Sequence, residues 1–388
     1  MVRVAMSESG FLEKLLDGER VEWEALGQAT KYEQPTKYLV STTDYSDHFP
    51  TPVLTAGKTF VLGYTSEVDG IYRASQSPVI IFDDFTSANK WVDFDFKVKS
   101  SAMKMITSSD ESKYLLKYIY YWLNTLPSEL IEGDHKRLWI ANFCQKRIPI
   151  PCPETPQKSL KIQAEIVRIL DAFTELTAEL TAELTARRKQ CSYYRERLLS
   201  FEDGEVEWKP LEKLAKIKHG KDWKNLAAGD IAVYGSGGVM TYVNKYSYNR
   251  PTVLIPRKGS ITNIFYVDTP FWNVDTIYYT EIDSSQIIPK FLYYFIKTVD
   301  MMSLDTGSGR PSLTQEILNK IRIPIPYSND PRRSLEEQSR IVALLDKFDT
   351  LTTSLQEGLP REIELRQKQY EYYRDLLLSF PKPEELAS

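Results

Sequence analysis

Arg147–Pro151 reads RIPIP, and Arg322–Pro326 reads RIPIP again, 175 residues later. The offset persists downstream. Ser159-Leu160 recurs as Ser334-Leu335, Gln163 as Gln338, and Ile166-Val167 as Ile341-Val342. Leu170-Asp171 and Phe173 recur as Leu345-Asp346 and Phe348. The offset then becomes 179: Gln190 matches Gln369, Tyr193-Tyr194-Arg195 matches Tyr372-Tyr373-Arg374, and LLSF at 198–201 matches 377–380. Upstream, GERVEW at 18–23 resembles GEVEW at 204–208. A fixed long period marks a duplicated structural unit. The order is a lead-in, a variable block, RIPIP and a long helix, and then the same again. The variable blocks, about 28–146 and 209–321, share little obvious identity.

The repeated stretches carry helical periodicity. Ile162, Ile166, Ile169, Phe173, Leu176, Leu180 and Leu184 fall three or four residues apart, one apolar stripe on a helix. Gly and Pro are absent from 159–200, and Pro149, Pro151, Pro153 and Pro156 mark the helix start upstream. Ser159 is the expected N-cap. The second helix, about 334–380, contains Gly358 and Pro360, where a kink or break is expected. Neither stripe is buried by its own helix. Antiparallel pairing of the two helices as a coiled coil buries both and creates a pseudo-two-fold axis. Packing each helix on its own domain is the other solution. Residues 177–184 read TAEL-TAEL, and each tetrad adds roughly 6 Å of helix, so Thr177, Leu180, Thr181 and Leu184 form a spacer repeat. The same composition also suits any stable helix.

Both variable blocks mix short β runs with turns. Apolar strands at 78–82 and 251–255 lead into polar turns, DDFTSANKW (83–91) and PRKGSITN (256–263). Aromatic, helical stretches follow at 114–126 and 290–299. Lys and Arg suit phosphate and guanine, Asn and Gln read adenine, and Ser and Thr suit either. On that chemistry the candidate contacts in the first block are Tyr32, Gln34, Thr36, Lys37, Lys58, Thr86, Asn89 and Lys90, with His135, Lys136 and Arg137 in a late basic loop. In the second block they are Lys221, Lys224, Ser236, Arg257, Lys258, Ser260 and Asn263, with Arg310 and Ser312 in a late loop.

Charge and composition limit the alternatives. The net charge is -4, but 28–150 holds 14 basic and 14 acidic residues and 209–326 holds 15 and 10, so the acid sits outside the blocks. Three scattered cysteines (Cys144, Cys152, Cys191) and three dispersed histidines give neither a disulfide framework nor a zinc pattern, and no metal is expected. No apolar run approaches the roughly 18 residues of a membrane span, and the N-terminus lacks a signal core, so a cytoplasmic protein is the default. Gly57-Lys58-Thr59 mimics a P-loop, but Pro52 stands where its first glycine is needed. Gly235-Ser236-Gly237-Gly238 reads as a tight turn rather than a dinucleotide fingerprint. Asp83, Asp84, Asp95 and Lys97 resemble a metal-nuclease set only weakly. No catalytic site is convincing.

Two variable blocks, two related helices, the RIPIP lead-in and the YYR-x-x-LL-S-F ending resemble the specificity subunit of a type I restriction–modification enzyme. The TAEL repeat points to the IC type. The resemblance covers essentially the whole chain. It implies an α+β architecture with two α/β target recognition domains separated by two long antiparallel coiled-coil helices, pseudo-two-fold. The corresponding boundaries are 1–152, 153–203, 204–327 and 328–388. It further implies that each block reads one half of a split, asymmetric DNA site. The helices dock two methyltransferase subunits that use S-adenosylmethionine on adenine, and restriction subunits join with ATP and magnesium. This chain itself would hold no cofactor. A coiled-coil scaffold whose inserts bind protein is the alternative. If the tetrads set the gap between half-sites, deleting Thr181–Leu184 shortens the preferred gap and leaves both half-sites unchanged. A methylome of cells carrying the deletion checks this, and an altered half-site contradicts it.

Overall fold

The structure, a computed structural model, describes residues 10–55, 59–127, 138–201, 206–307, 309–353 and 358–381. The chain divides into two compact units. The first comprises 1–179 with 364–388, and the second 180–363.

In the first unit the lead-in and RIPIP segments form an antiparallel ribbon, β1 (Val21–Ala25) with β9 (Arg147–Pro151), in which Trp23 faces Pro149. Between them lie β2 (Thr30–Glu33), β3 (Thr51–Leu54), β4 (Val61–Thr65), β5 (Val79–Asp83), β6 (Asn89–Val92), β7 (Lys97–Val98) and β8 (Met103–Ser108). They form a four-stranded sheet ordered β2-β8-β5-β6 and a three-stranded sheet ordered β4-β3-β7, whose β3–β7 pair is parallel.

The second unit repeats this plan. Its ribbon pairs β10 (Val206–Pro210) with β18 (Arg322–Pro326), and Trp208 faces Pro324. The intervening strands are β11 (Ala215–Lys218), β12 (Ala228–Gly235), β13 (Gly238–Val243), β14 (Thr252–Pro256), β15 (Phe265–Val267), β16 (Phe271–Asn273) and β17 (Ile277–Ile282). Their orders are β11-β17-β14-β15 and β13-β12-β16, with β12–β16 parallel. Every strand of one block therefore has a counterpart in the other. Prolines are tolerated in both RIPIP strands because each belongs to a two-stranded ribbon and has an edge without a ladder partner.

After each RIPIP strand the chain turns through a left-handed residue, Cys152 (φ 48°) or Tyr327 (φ 49°), and enters a helix that begins with proline. The first runs unbroken from Pro156 to Leu198. Ser159 is not its N-cap. It lies in the first turn, where its hydroxyl accepts from Gln163 Nε2 at 3.0 Å. Proline at the first helical position costs no hydrogen bond, so the helix starts earlier than the serine implied. The second stretch is two helices, Pro331–Thr353 and Leu359–Leu377, with Gly358 non-helical as expected.

The invariant parts of the repeat are the buried joints. Gln163 is fully buried. Its Oε1 accepts from Leu115 N (2.8 Å) and its Nε2 donates to Lys113 O (2.8 Å), at the entrance of the aromatic helix Leu116–Leu123. Gln338 does the same for the helix Pro289–Ile296, accepting from Ile288 N (2.8 Å) and donating to Gln286 O (3.1 Å). About two helical turns further on, Asp171 pairs with Lys117 (2.9 Å) and accepts from the Tyr121 hydroxyl. Asp346 pairs likewise with Lys290 (2.8 Å) and accepts from Tyr294. Each lysine also lies over an aromatic ring, Lys117 over Trp91 and Lys290 over Tyr266.

The LLSF endings complete the cores. Leu377, Leu378 and Phe380 join the first unit's core, with Leu26, Tyr118, Trp139, Ile166 and Leu170. Leu198, Leu199 and Phe201 join the second unit's core, with Phe291, Leu318 and Ile341. Phe173 stacks on Tyr373 at 5.1 Å, and its repeat partner Phe348 stacks on Tyr194 at 5.3 Å. The boundary between the units falls at 179/180, inside the TAEL repeat. There Leu184 is buried, Leu180 and Thr177 are half-buried, and Thr181 is exposed.

The glutamine joint should be costly to break. Gln338→Leu leaves the part-buried Ile288 N and Gln286 O without their partner. It is expected to destabilise the second unit by about 2–4 kcal/mol, from two unsatisfied groups at ~1–2 kcal/mol each. Urea denaturation followed by tryptophan fluorescence reads this, and an unchanged midpoint contradicts it.

Candidate nucleic-acid interface

The two polar turns occupy equivalent places. The turn 84–88 joins β5 to β6, and the segment from Arg257 joins β14 to β15. The backbone fixes the correspondence. Asp84 N donates to Ala102 O and Leu138 N donates to Asp84 O, while Arg257 N donates to Thr276 O and Leu313 N to Arg257 O. Asp84 and Arg257 therefore hold the same position with opposite charge.

In the first unit the turn is built inward. Asp83 Oδ1 accepts from Phe85 N (2.8 Å) and Thr86 N (3.0 Å), and Ser87 takes a left-handed φ of 56°. Phe85, Thr86 and Lys90 are exposed at the surface this creates. Asn89 is half-buried, and its Oδ1 is buried with no hydrogen-bond partner among the described residues. Tyr32 is exposed on β2 beside the same sheet, with Lys104 Nζ 5.6 Å from its ring. Gln34, Thr36 and Lys37 lie in the following segment and are exposed. Lys37 pairs with Glu33 at 3.1 Å, and that contact raises the lysine's pKa. An exposed pair of this kind is weak, so the charge remains available. Lys58, His135, Lys136 and Arg137 lie outside the described residues.

The second unit brings all of its candidates but Lys221 and Lys224 onto linked segments. The glycine-rich segment is the β12–β13 turn, with Gly238 at φ 112°. Asn263 Nδ2 donates to Ser236 O (3.2 Å), which ties the β12–β13 turn to the 256–263 segment. Lys258 and Ser312 form an isolated β-bridge, and Gly259 N donates to Pro311 O (2.9 Å), which ties in the late loop. Gly259 has φ 91°, and a Cβ there would stand 2.9 Å from the Arg310 guanidinium and 3.2 Å from Ser236 Oγ. Glycine is thus needed both for the backbone and for the close approach of Arg310. Lys258, Ser260, Asn263 and Arg310 are exposed. Arg257 is half-buried beside Tyr278; burial raises that phenol's pKa and the arginine partly offsets it. Lys221 and Lys224 are exposed on a separate segment, whose backbone is tied to Asn273 by Lys221 N (2.9 Å).

Asp305, absent from the sequence-based set, holds the late loop. Its Oδ1 accepts from Gly307 N (2.8 Å) and Ser312 N (2.7 Å), and these bonds lower its pKa. Also absent were the exposed side chains of Phe85 and, on the β12–β13 hairpin, Val239, Met240 and Tyr242. Phe85, Val239 and Met240 carry no donor–acceptor signal, and the hydroxyl of Tyr242 lies in a strand outside the polar turns from which the candidates were drawn.

The carboxylates that mimic a nuclease set are dispersed. Asp84 pairs with Lys104, Asp95 with Arg73, and Lys97 with Glu67. Among the described residues no group of three or more His, Cys, Asp or Glu is placed to hold a metal ion. Among them, too, no helix is long and apolar enough to cross a membrane.

Duplicated mixed sheets, each carrying a polar turn and tied to a long helix, define a two-domain specificity module. Residues 26–187 and 205–365 match the family described as "Type I restriction modification DNA specificity domain", and the chain belongs to that family. It is 53% identical over 411 residues to the Escherichia coli type I restriction enzyme EcoR124I/EcoR124II specificity subunit, covering 99% of this chain and all of that one. It is 31% identical to a putative type I specificity subunit of Haemophilus influenzae, covering 95% and 98% of the two chains. The fold matches the S subunit of a type I restriction–modification system from M. genitalium, with TM-score 0.60, 16% identity, and coverage of 94% of this chain and 98% of that one. A second type I restriction–modification structure matches with TM-score 0.56, 15% identity, and coverage of 92% and 98%. The chain is a non-catalytic, DNA-binding specificity subunit.

Because the folded-state pKa of Asp305 is depressed, its hold on the loop is complete above the ordinary carboxylate pKa and is lost as pH falls through the lowered value. At neutral pH, Asp305→Ala is expected to speed amide hydrogen exchange at Gly307 and Ser312, with Asp305→Asn intermediate. Unchanged exchange in the alanine variant would show that the carboxylate does not order the loop.

Proposed function

We propose that the chain reads a bipartite, asymmetric DNA sequence, one half through each block, and directs adenine methylation and restriction by partner subunits. The observation that carries this reading is that two blocks of identical strand order present different side chains at the same turn. A duplicated scaffold with different readers suits two different half-sites. The proposed division is 1–152 and 204–327 for the readers, with 153–203 and 328–388 as the spacers. The proposed partners are two methyltransferase subunits that bind S-adenosylmethionine, and restriction subunits that use ATP and magnesium, in the cytoplasm.

The proposed contacts are the exposed candidates of each block. In the second block Arg310, Lys258, Ser260 and Asn263 lie on segments bonded to one another, so they reach a duplex together. Two closely placed cations in that group favour phosphate, and the neighbouring hydroxyls and amide suit base edges. The first block combines Thr86 and Lys90 with the rings of Tyr32 and Phe85, and relies less on charge.

Footprinting of the subunit assembled with its methyltransferase partners tests the bipartite reading. Two protected segments separated by an unread gap are expected, and one continuous site rules it out. Arg310→Ala is expected to weaken binding by about 1–3 kcal/mol. If Arg310 meets a phosphate, the salt slope falls by about one unit without loss of preference; if it meets guanine, preference at one position of one half-site relaxes. No effect on either quantity removes Arg310 from the interface.

A further inference from the structure

The first block contains an ion pair with no exposed surface at either partner. Asp84 Oδ2 and Lys104 Nζ stand 3.0 Å apart, and both side chains are 0% exposed. Beyond this pair, Lys104 Nζ has no hydrogen-bond partner among the described residues. Buried ion pairs seldom add net stability over an apolar pair of similar volume, so their presence asks for another role.

The contacts of Asp84 indicate that role. Its N–H donates to Ala102 O, and its carbonyl accepts from Leu138 N. Its Oδ1 accepts from Trp139 N at 3.2 Å, while Oδ2 faces Lys104. One residue therefore ties together the 83–88 turn, the start of β8 and the segment beginning at Leu138. Lys104 extends the tie, because its ammonium lies 5.6 Å from the ring of exposed Tyr32. Phe85 and Thr86 follow Asp84 directly and are exposed. In the second block the same backbone position is Arg257, half-buried and set against Tyr278. The ion pair is thus particular to the first reader and not part of the duplicated frame.

We infer that the Asp84–Lys104 pair is a specificity-determining latch: it positions the 85–90 turn and Tyr32 for discrimination of the first block's half-site alone. The pair touches no DNA and acts through the turn. The inference rests on the reading of that turn as a DNA contact. A directional buried pair fits this task better than apolar packing, since it fixes the relative placement of three segments rather than merely filling space.

The test uses the subunit assembled with its methyltransferase partners and four duplexes: cognate, altered in the first half-site, altered in the second, and altered in both. Asp84→Leu with Lys104→Met removes the pair at similar volume. Preference for the cognate first half-site is expected to fall at least about tenfold, with the second-half preference unchanged and the melting temperature lowered, because Trp139 N loses its acceptor. Asp84→Asn with Lys104→Gln, which keeps an acceptor for Trp139 N, is expected to restore most of that preference. Full first-half preference in the apolar variant overturns the latch, as does an equal loss at both halves. Should the apolar variant fail to fold, the amide variant decides through hydrogen exchange at Trp139 N–H. Protection and first-half preference retained or lost together support the latch, and one changing without the other overturns it. Thr86→Ala and Lys90→Ala separate the two claims. If both leave DNA binding unchanged, the reading of the turn fails and the latch with it. If they matter and the apolar variant does not, only the latch fails.

Discussion

A buried side-chain amide at the start of each long helix organises the rest of the molecule. Gln163 and Gln338 each satisfy one N–H and one carbonyl at the entrance of an aromatic helix, where the helix leaves its first N–H groups without intrahelical partners and the preceding chain offers the carbonyl. The amide suits this task because it donates and accepts from one rigid plane. An apolar residue would leave both groups unsatisfied in the interior, and a carboxylate would lose the donor. The Asp171 and Asp346 clasps then fix the rotation of the same aromatic helices on the long helices. With these joints set, the sheets that rest on the aromatic helices have a fixed base from which their turns project.

The joints also explain what the duplication kept and what it changed. RIPIP, the glutamine, the aspartate and the LLSF ending are all buried or bonded at joints, where a change leaves an orphan or a cavity. Several turn residues, among them Phe85, Thr86, Lys90, Lys258, Ser260 and Asn263, face solvent, and such positions can diverge without leaving an orphan or a cavity. The result is two readers of the same strand order with opposite charges at one backbone position, Asp84 and Arg257. The first reader neutralises its buried charge internally with Lys104. The second keeps Arg257, Lys258 and Arg310 on linked segments. The division keeps the buried frame constant while the exposed side chains of each block differ.

Much of the frame was legible in the sequence. The RIPIP repeat marked the duplicated joints, though not that they pair as ribbon strands, and the three- and four-residue spacing located the helices. Gly358 correctly marked the break. Of the candidate contacts in the second block, Ser236, Lys258, Ser260, Asn263, Arg310 and Ser312 lie on three loops that converge at Gly259, a grouping that the turn composition did not indicate, while Lys221 and Lys224 stand apart. The correspondence of the aromatic helices was less visible. KYIYYWL at 117–123 and KFLYYFI at 290–296 are alike, but at an offset of 173 rather than 175, so they fall outside the register of the main repeat. Asp305 was missed because a lone aspartate in a loop gives no sign that it will accept two backbone amides.

Periodicity and duplication determined, from sequence alone, that the chain carries two related scaffolds with two different inserts, because burial of apolar stripes and strand-forming segments leaves a local pattern. Tertiary structure alone decided that Asp84 and Arg257 are counterparts and that Lys104 is buried. It alone decided, too, that each LLSF ending completes a core. Those outcomes depend on contacts between residues from tens to hundreds of positions apart, whose pairing is set by sheet order and helix packing rather than by any local preference.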